Sequence, residues 1–318
     1  MAFLHAAAAV AEGAAVGETK DSSVSAALHD PLRRVCVLGG RPGLRRSLGS
    51  VYAGSVTRFL GGFRGVASRT VPALEWDAFS ESGGMAVMRD GTALLVTDRT
   101  HSCLYVFEAT TGKRLRTIGG RGTARLQFKT PWRVCITDDD FVFVADHGNS
   151  RIQVLTPQLG FHGFVGVGQL HTPIGVCANE HVIAVSESPN RISVFQRSDG
   201  AFVRRFGTGK LARPLGLCFI GGTGQIAVAD HDAHCVAVFT LDGEFVRNIA
   251  HDKLVEPADV ACSATGDLVV GAFGSKCVVF SASGEMLHEF GDFDFGRVAI
   301  HGSAVFALTV TERTVMFT

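Results

Sequence analysis

The chain has 318 residues, with 30 Lys and Arg balancing 30 Asp and Glu, and 46% of it is hydrophobic. That much apolar content buries a sizeable core and excludes global disorder. A zero net charge demotes a general nucleic-acid binder, and DNA is not expected as a partner. No stretch approaches the ~18 apolar residues of a membrane helix, so no membrane partner is expected either.

Residues 1–54 open with an alanine run to Ala11 and stay rich in Ala, Gly, Ser and Arg without sustained periodicity. They read as a disordered arm. No Lys or Arg precedes the alanine run, which argues against a secretion signal and for a cytoplasmic protein. From Pro31 to Leu74 there are eight arginines and no acid. That segment reads as a solvated tail or as an arm for an acidic partner.

From residue 55 the chain repeats. Pro131, Pro173, Pro214 and Pro257 fall in one column, spaced 42, 41 and 43 residues apart. After each comes a short apolar run, such as Val134-Cys135-Ile136, and then a turn. A second run follows, such as Phe141 to Val144, and then a polar loop. A third strand ends on a bulky residue (Leu155, Phe195, Phe239, Phe280), and a Gly-containing turn leads to a fourth. A weaker copy starts at Ser82, and a last one near Phe295 lacks a strand. Val56 to Gly62 matches the fourth-strand pattern and is the candidate to complete it, after a third strand at Val315 to Phe317. Six copies of four strands predict an all-β fold: a six-bladed β-propeller of four-stranded antiparallel blades over residues 55–318. An N-terminal strand pairing with the C-terminal blade would close it, hiding two sheet edges at once.

Eight cysteines form no CxxC and no zinc-finger spacing. Cys135, Cys177 and Cys218 share one repeat position on separate blades and read as small buried thiols.

The polar loops carry a further pattern. Asp98, Asp146, Glu187 and Asp230 stand just after the second strand, where a carboxylate accepts backbone N–H bonds from a loop. Asn149 and Asn190 suit left-handed turn positions. Arg151 and Arg191 open the third strand and suit pairing with a carboxylate. Val144 to Val154 (VADHGNSRIQV) and Pro189 to Phe195 (PNRISVF) resemble the signature of the NHL repeat. Phe206-Gly207 and Phe290-Gly291 at the end of the fourth strand fit it too. The resemblance covers residues 55–318 and is best in the second to fourth blades; the fifth and sixth lack the Asp and Asn. It implies a propeller that binds a protein or RNA. Many animal NHL propellers serve as the substrate-recognition end of RING-type ubiquitin ligases. This sequence has no RING spacing, so a ligase role here would be that of a recognition subunit.

Loops joining strands one to two and three to four are rich in acids, among them Asp138, Asp139, Asp140, Asp199 and Asp242. The opposite rim carries Arg99, Arg121, Arg125, Lys129, Lys210 and Arg213, with His147 and His231. Together with Arg133 these are the candidate partner-binding residues, and a protein is the leading partner. RNA is the alternative, with few exposed aromatics to stack its bases. Some NHL-like propellers resemble metal-dependent lyases or lactonases, and His147, His231, His101 and His234 offer a rim for that third reading. No catalytic motif and no cofactor fingerprint accompanies them, so neither catalytic residues, nor a metal, nor a cofactor is assigned. The first strands bring Gly84, Arg133, Gly175, Gly216, Asp259 and Arg297 toward the channel, a set that suits an ion pair or an anion more than a metal.

Overall fold

The computed structural model describes residues 55–59, 69–70, 81–109, 111–273, 276–290, 295–302, 304–309 and 316–317. The expected N-terminal arm, Cys36 and Val315, the first residue of the strand expected at Val315 to Phe317, lie outside them. Two short strands come first, β1 (Ser55–Phe59) and β2 (Arg69–Thr70). Blade 1 is β3 (Ser82–Val87), β4 (Ala93–Asp98), β5 (Cys103–Glu108) and β6 (Arg114–Gly119). Blade 2 is β7 (Pro131–Ile136), β8 (Val142–Asp146), β9 (Arg151–Leu155) and β10 (Phe161–Val165). Blade 3 is β11 (Pro173–Ala178), β12 (Val182–Glu187), β13 (Arg191–Gln196) and β14 (Phe202–Phe206). Blade 4 is β15 (Pro214–Ile220), β16 (Gln225–Asp230), β17 (Cys235–Thr240) and β18 (Phe245–Ile249). Blade 5 is β19 (Pro257–Cys262), β20 (Leu268–Ala272), β21 (Cys277–Phe280) and β22 (Met286–Phe290). The last strands are β23 (Phe295–His301), β24 (Ala304–Thr309) and β25 (Met316–Phe317).

Each of blades 1 to 5 is a four-stranded antiparallel sheet in chain order. The innermost strands neighbour one another in turn, from β3 through β7, β11, β15 and β19 to β23 and back to β3. The ring therefore closes on six blades. The sixth has the order β1-β24-β23. Closure from the N-terminal side is as expected, but the position differs. β1 pairs directly with β24, from Ser55 opposite Thr309 to Phe59 opposite Val305, and so takes the third place rather than the fourth. β25 pairs with β2 instead. Third and fourth strands carry similar apolar runs here, so composition does not tell them apart; pairing decides.

Burial explains the strand patterns. β8 and β9 are buried along their whole length, because each blade is stacked between two others. The outermost β6 is exposed at four of its first four positions. Each apolar cluster spans two consecutive blades: Leu95, Leu104 and Val106 meet Val134, Val144 and Leu155 between blades 1 and 2. The bulky residues closing the third strands, Phe107, Leu155, Phe195, Phe239 and Phe280, are almost completely buried. Removing one such phenylalanine ring costs ~3–5 kcal/mol.

All six inner strands share one irregularity. Their register slips near the start, as between Pro131 and Val134 in β7 and between Pro257 and Asp259 in β19. A bulge at that point re-aims side chains, and it falls where the chain reaches the channel. The turn glycines behave individually. Gly200, Gly243 and Gly284 have positive φ, whereas in blade 2 Leu159 takes that conformation and Gly160 does not. The seven described cysteines are free thiols. Burial pushes Cys135 up to about 12 and Cys177 and Cys218 well above the ordinary range, so they are packing groups and not nucleophiles. Among the described residues no helix is long and apolar enough to cross a membrane.

Candidate interaction rim and channel

In an antiparallel blade, the loops from second to third strand and from one blade to the next emerge at one end. The other two loop sets emerge at the opposite end. The carboxylates after the second strand organise the first of these ends. Asp98, Asp146, Glu187 and Asp230 are each no more than 1% exposed. Asp146 Oδ1 accepts the Lys129 N–H at 2.8 Å, while Oδ2 accepts from Asn149 Nδ2 and Arg151 Nε, each at 2.8 Å. Burial nonetheless lifts the Asp146 carboxyl above its usual range, against these donors. Glu187 accepts the His171 N–H and bonds from Arg191, Ser193 and Arg205. Asp230 accepts the N–H groups of Ala212 and Arg213. Asp146, Glu187 and Asp230 thus each tie down the loop that enters their own blade. Asp98 accepts the His101 N–H at 2.8 Å.

The expected role of the asparagines is half right. Asn190 has φ 45°, but in blade 2 the left-handed position falls on Ser150, with φ 53°. Asn149 lies one residue earlier in a single 3-10 turn, where its amide also donates to Gly122 O at 2.8 Å.

The loop between blades 1 and 2, residues 120–130, is held by several buried side chains of blade 2. Arg151 donates to the carbonyls of Thr123, Ala124 and Gln127. Gln153 donates to Gln127 O and accepts the Leu126 N–H at 2.6 Å. Within the loop, Gly122 and Phe128 bond across it. Gln153 lies outside the residues that the repeat pattern singles out. Its signal was there: a polar residue between Ile152 and Val154 on an apolar strand, buried to 0% exposure and so obliged to find partners.

This clamped loop presents Arg121, Arg125 and Lys129, all exposed. None of them forms an ion pair among the described residues; Arg125 lies over the Phe161 ring at 5.1 Å. Lys210 is exposed likewise, 5.7 Å from the Phe245 ring centre. Arg213 reaches Asp232 at 3.6 Å. Exposed Val167 lies at the same end, in the loop from blade 2 to blade 3, and Val255 in the loop from blade 4 to blade 5. Closer to the channel, Arg99 pairs with Glu81 and stacks 4.1 Å over the Trp132 ring, whose other neighbour is His147 at 5.4 Å. At the far end, the acids are partly neutralised: Asp139 is bound by Arg197 and Asp242 by Arg204.

Arg133 does not belong to the rim. It is 3% exposed and runs into the channel, re-aimed by the bulge in β7. Its Nε is 3.3 Å from Asp259 Oδ1 on blade 5, and its other nitrogens donate to Gly83 O and Ala258 O. Arg297, 4% exposed, donates to the same Gly83 O at 2.6 Å. The expected ion pair in the channel is therefore present. Gly216 makes room for it, since a Cβ there would stand 2.8 Å from Asp259 Cα. Burial draws both guanidinium groups down from the usual arginine range, and for Arg297 the Arg133 charge adds to this.

The four histidines considered for a metal are engaged separately. His101 bonds Asp98, His147 bonds Pro173 O, His231 bonds Asp232, and His234 accepts the Glu256 N–H. Among the described residues no cluster of three or more metal-ligating side chains occurs.

Comparison with known proteins agrees with this geometry. The NHL repeat family matches residues 128–155 and 211–239, the stretches that contain the Asp146 and Asp230 clasps. The chain is a β-propeller that carries NHL repeats. It is also 27% identical over 133 residues to Protein brain tumor of Drosophila melanogaster. That alignment covers 39% of this chain and 13% of the fly protein, so the chain matches a small part of that relative's length.

Proposed function

We propose that this NHL propeller is a non-catalytic interaction module that binds a protein partner through the rim carrying Arg121, Arg125, Lys129, Lys210 and Arg213, with Arg99, His147 and His231 nearer the channel. One observation carries the reading. The loop of residues 120–130 is fixed by Asn149, Arg151 and Gln153, and holds three exposed cations with no acid among them. A preorganised loop loses little entropy when it binds. Its charge suits an acidic partner surface. Exposed Val167 and Val255 at the same end add aliphatic contact area, which suits a protein more than a nucleobase. In its finer form, the module recognises substrates beside a separate ubiquitin-ligase subunit; that form rests on the family resemblance alone.

RNA is the second reading, favoured by the Arg99–Trp132 stack, which places a guanidinium and an indole at the channel mouth. Affinity capture from native cells, split into nuclease-treated and untreated halves, separates the two. The protein reading predicts a partner set that survives nuclease. Loss of the set on nuclease treatment, with salt-steep binding to single-stranded RNA, would replace it with the RNA reading.

A further inference from the structure

Among the described residues, the channel holds more positive charge than the ion pair accounts for. Arg133 and Arg297 both donate to the carbonyl oxygen of Gly83, which places their guanidinium nitrogens within ~6 Å of each other. One buried carboxylate serves the two. Asp259 spends Oδ1 on Arg133 and accepts the Val298 N–H at Oδ2. Arg297 is left with carbonyl acceptors alone: Gly83, Gly296 and Ser82. Buried charges normally come paired, and here one guanidinium has no carboxylate of its own among the described residues.

A second, independent observation lies at the same mouth. Among the described residues, Arg99 Nε and Trp132 Nε1 are buried N–H donors without an acceptor. They sit together, because the Arg99 guanidinium stacks 4.1 Å over the Trp132 ring. Trp132 directly precedes Arg133 on β7, and Thr97 Oγ1 ties its carbonyl to blade 1. Orphaned buried donors are uncommon, and each needs an explanation. A guanidinium has five N–H donors, so Arg133 and Arg297 also keep donors to spare. Unused donors and excess positive charge call for the same thing, a compact group with negative charge and several acceptor oxygens.

We propose that the channel mouth binds one oxyanion group, a carboxylate or a phosphate, held by Arg99, Trp132, Arg133 and Arg297. The site is distinct from the rim loop of residues 120–130 and stands whether or not that loop binds protein. Thermal unfolding of the full chain in sodium chloride, acetate or phosphate, at pH 7 and matched ionic strength, tests it. Acetate or phosphate should raise Tm over chloride, saturably, by roughly 2–4 °C. Arg297→Met should abolish the rise, and Arg99→Gln and Trp132→Phe should at least halve it. A response to phosphate alone identifies a phosphate site, and one to acetate alone identifies a carboxylate site. The same Tm in all three salts would overturn the proposal. So would a rise that persists undiminished in Arg99→Gln and Trp132→Phe, which means an adventitious ion only. Should Arg297→Met fail to fold, the two mouth variants decide.

Discussion

Blades 2 and 5 stand opposite each other in the ring and share one strand order, yet they fix their rims differently. Blade 2 ends its second strand on Asp146, which gathers Lys129, Asn149 and Arg151. Blade 5 has Ala272 at that place, buried and apolar. A backbone bond ties the entering loop in both: Gly148 N–H to Lys129 O in blade 2, and Phe273 N–H to Glu256 O in blade 5. The apolar strands and the ladder therefore suffice to make a blade. The buried carboxylate adds a fixed entering loop, and the basic loop is fixed where the carboxylate and its arginine are present. The two blades meet through the channel, where Arg133 of blade 2 reaches Asp259 of blade 5.

Removing that link has the largest expected effect. Asp259→Ala leaves two buried guanidinium groups without a carboxylate and should cost ~3–5 kcal/mol or more in urea unfolding. A loss below ~1 kcal/mol would show that the carbonyls alone satisfy Arg133 and Arg297. Next comes Asp146→Ala, which strands Arg151 and frees Asn149. It should cost ~3 kcal/mol and speed amide exchange in residues 120–130. The matching change in blade 5, Ala272→Asp, should give no gain in stability, because no arginine opens β21. A gain in stability from Ala272→Asp would erase the distinction between the blades.

A smaller effect concerns His147. Burial draws its imidazole below the ordinary histidine range, with the Pro173 carbonyl opposing. The unfolded chain then takes up the proton first as pH falls. The neutral ring's contribution is complete above about pH 6.5 and declines as pH drops below that value toward the lower folded pKa. Stability measured from pH 7.5 to 5.5 should fall less steeply in His147→Phe than in the natural chain. Parallel slopes would mean that His147 titrates as it does in the unfolded state.

Much of this was readable from sequence because repetition averages out local ambiguity. One proline column, a bulky third-strand terminus and a carboxylate after the second strand recur often enough to set the fold. The same columns put Asp259 and Arg297 in the channel. What escaped depends on pairing or on local backbone. Arg133 was assigned to both rim and channel, and the bulge in β7 settles it inside. β1 took the third place in blade 6 because tertiary pairing, not its apolar pattern, chooses the neighbour. Asn149 looked like a turn residue, whereas the turn conformation fell on Ser150 and freed the Asn149 amide to clamp the loop. A single buried amide such as Gln153 leaves no periodic mark in the sequence.

The account turns on the clamped basic loop as the contact surface. The most direct measurement is nuclease-treated affinity capture by three forms of the full chain: natural, Arg121→Ala/Arg125→Ala/Lys129→Ala, and Lys253→Ala/Lys276→Ala on the blade 5 side. All three should unfold at the same urea concentration, because the five side chains are at least partly exposed and contribute little to stability. The triple variant should lose the captured partners at physiological salt while the double variant keeps them. Undiminished capture by the triple variant, or equal loss in both, would contradict the assignment of this loop.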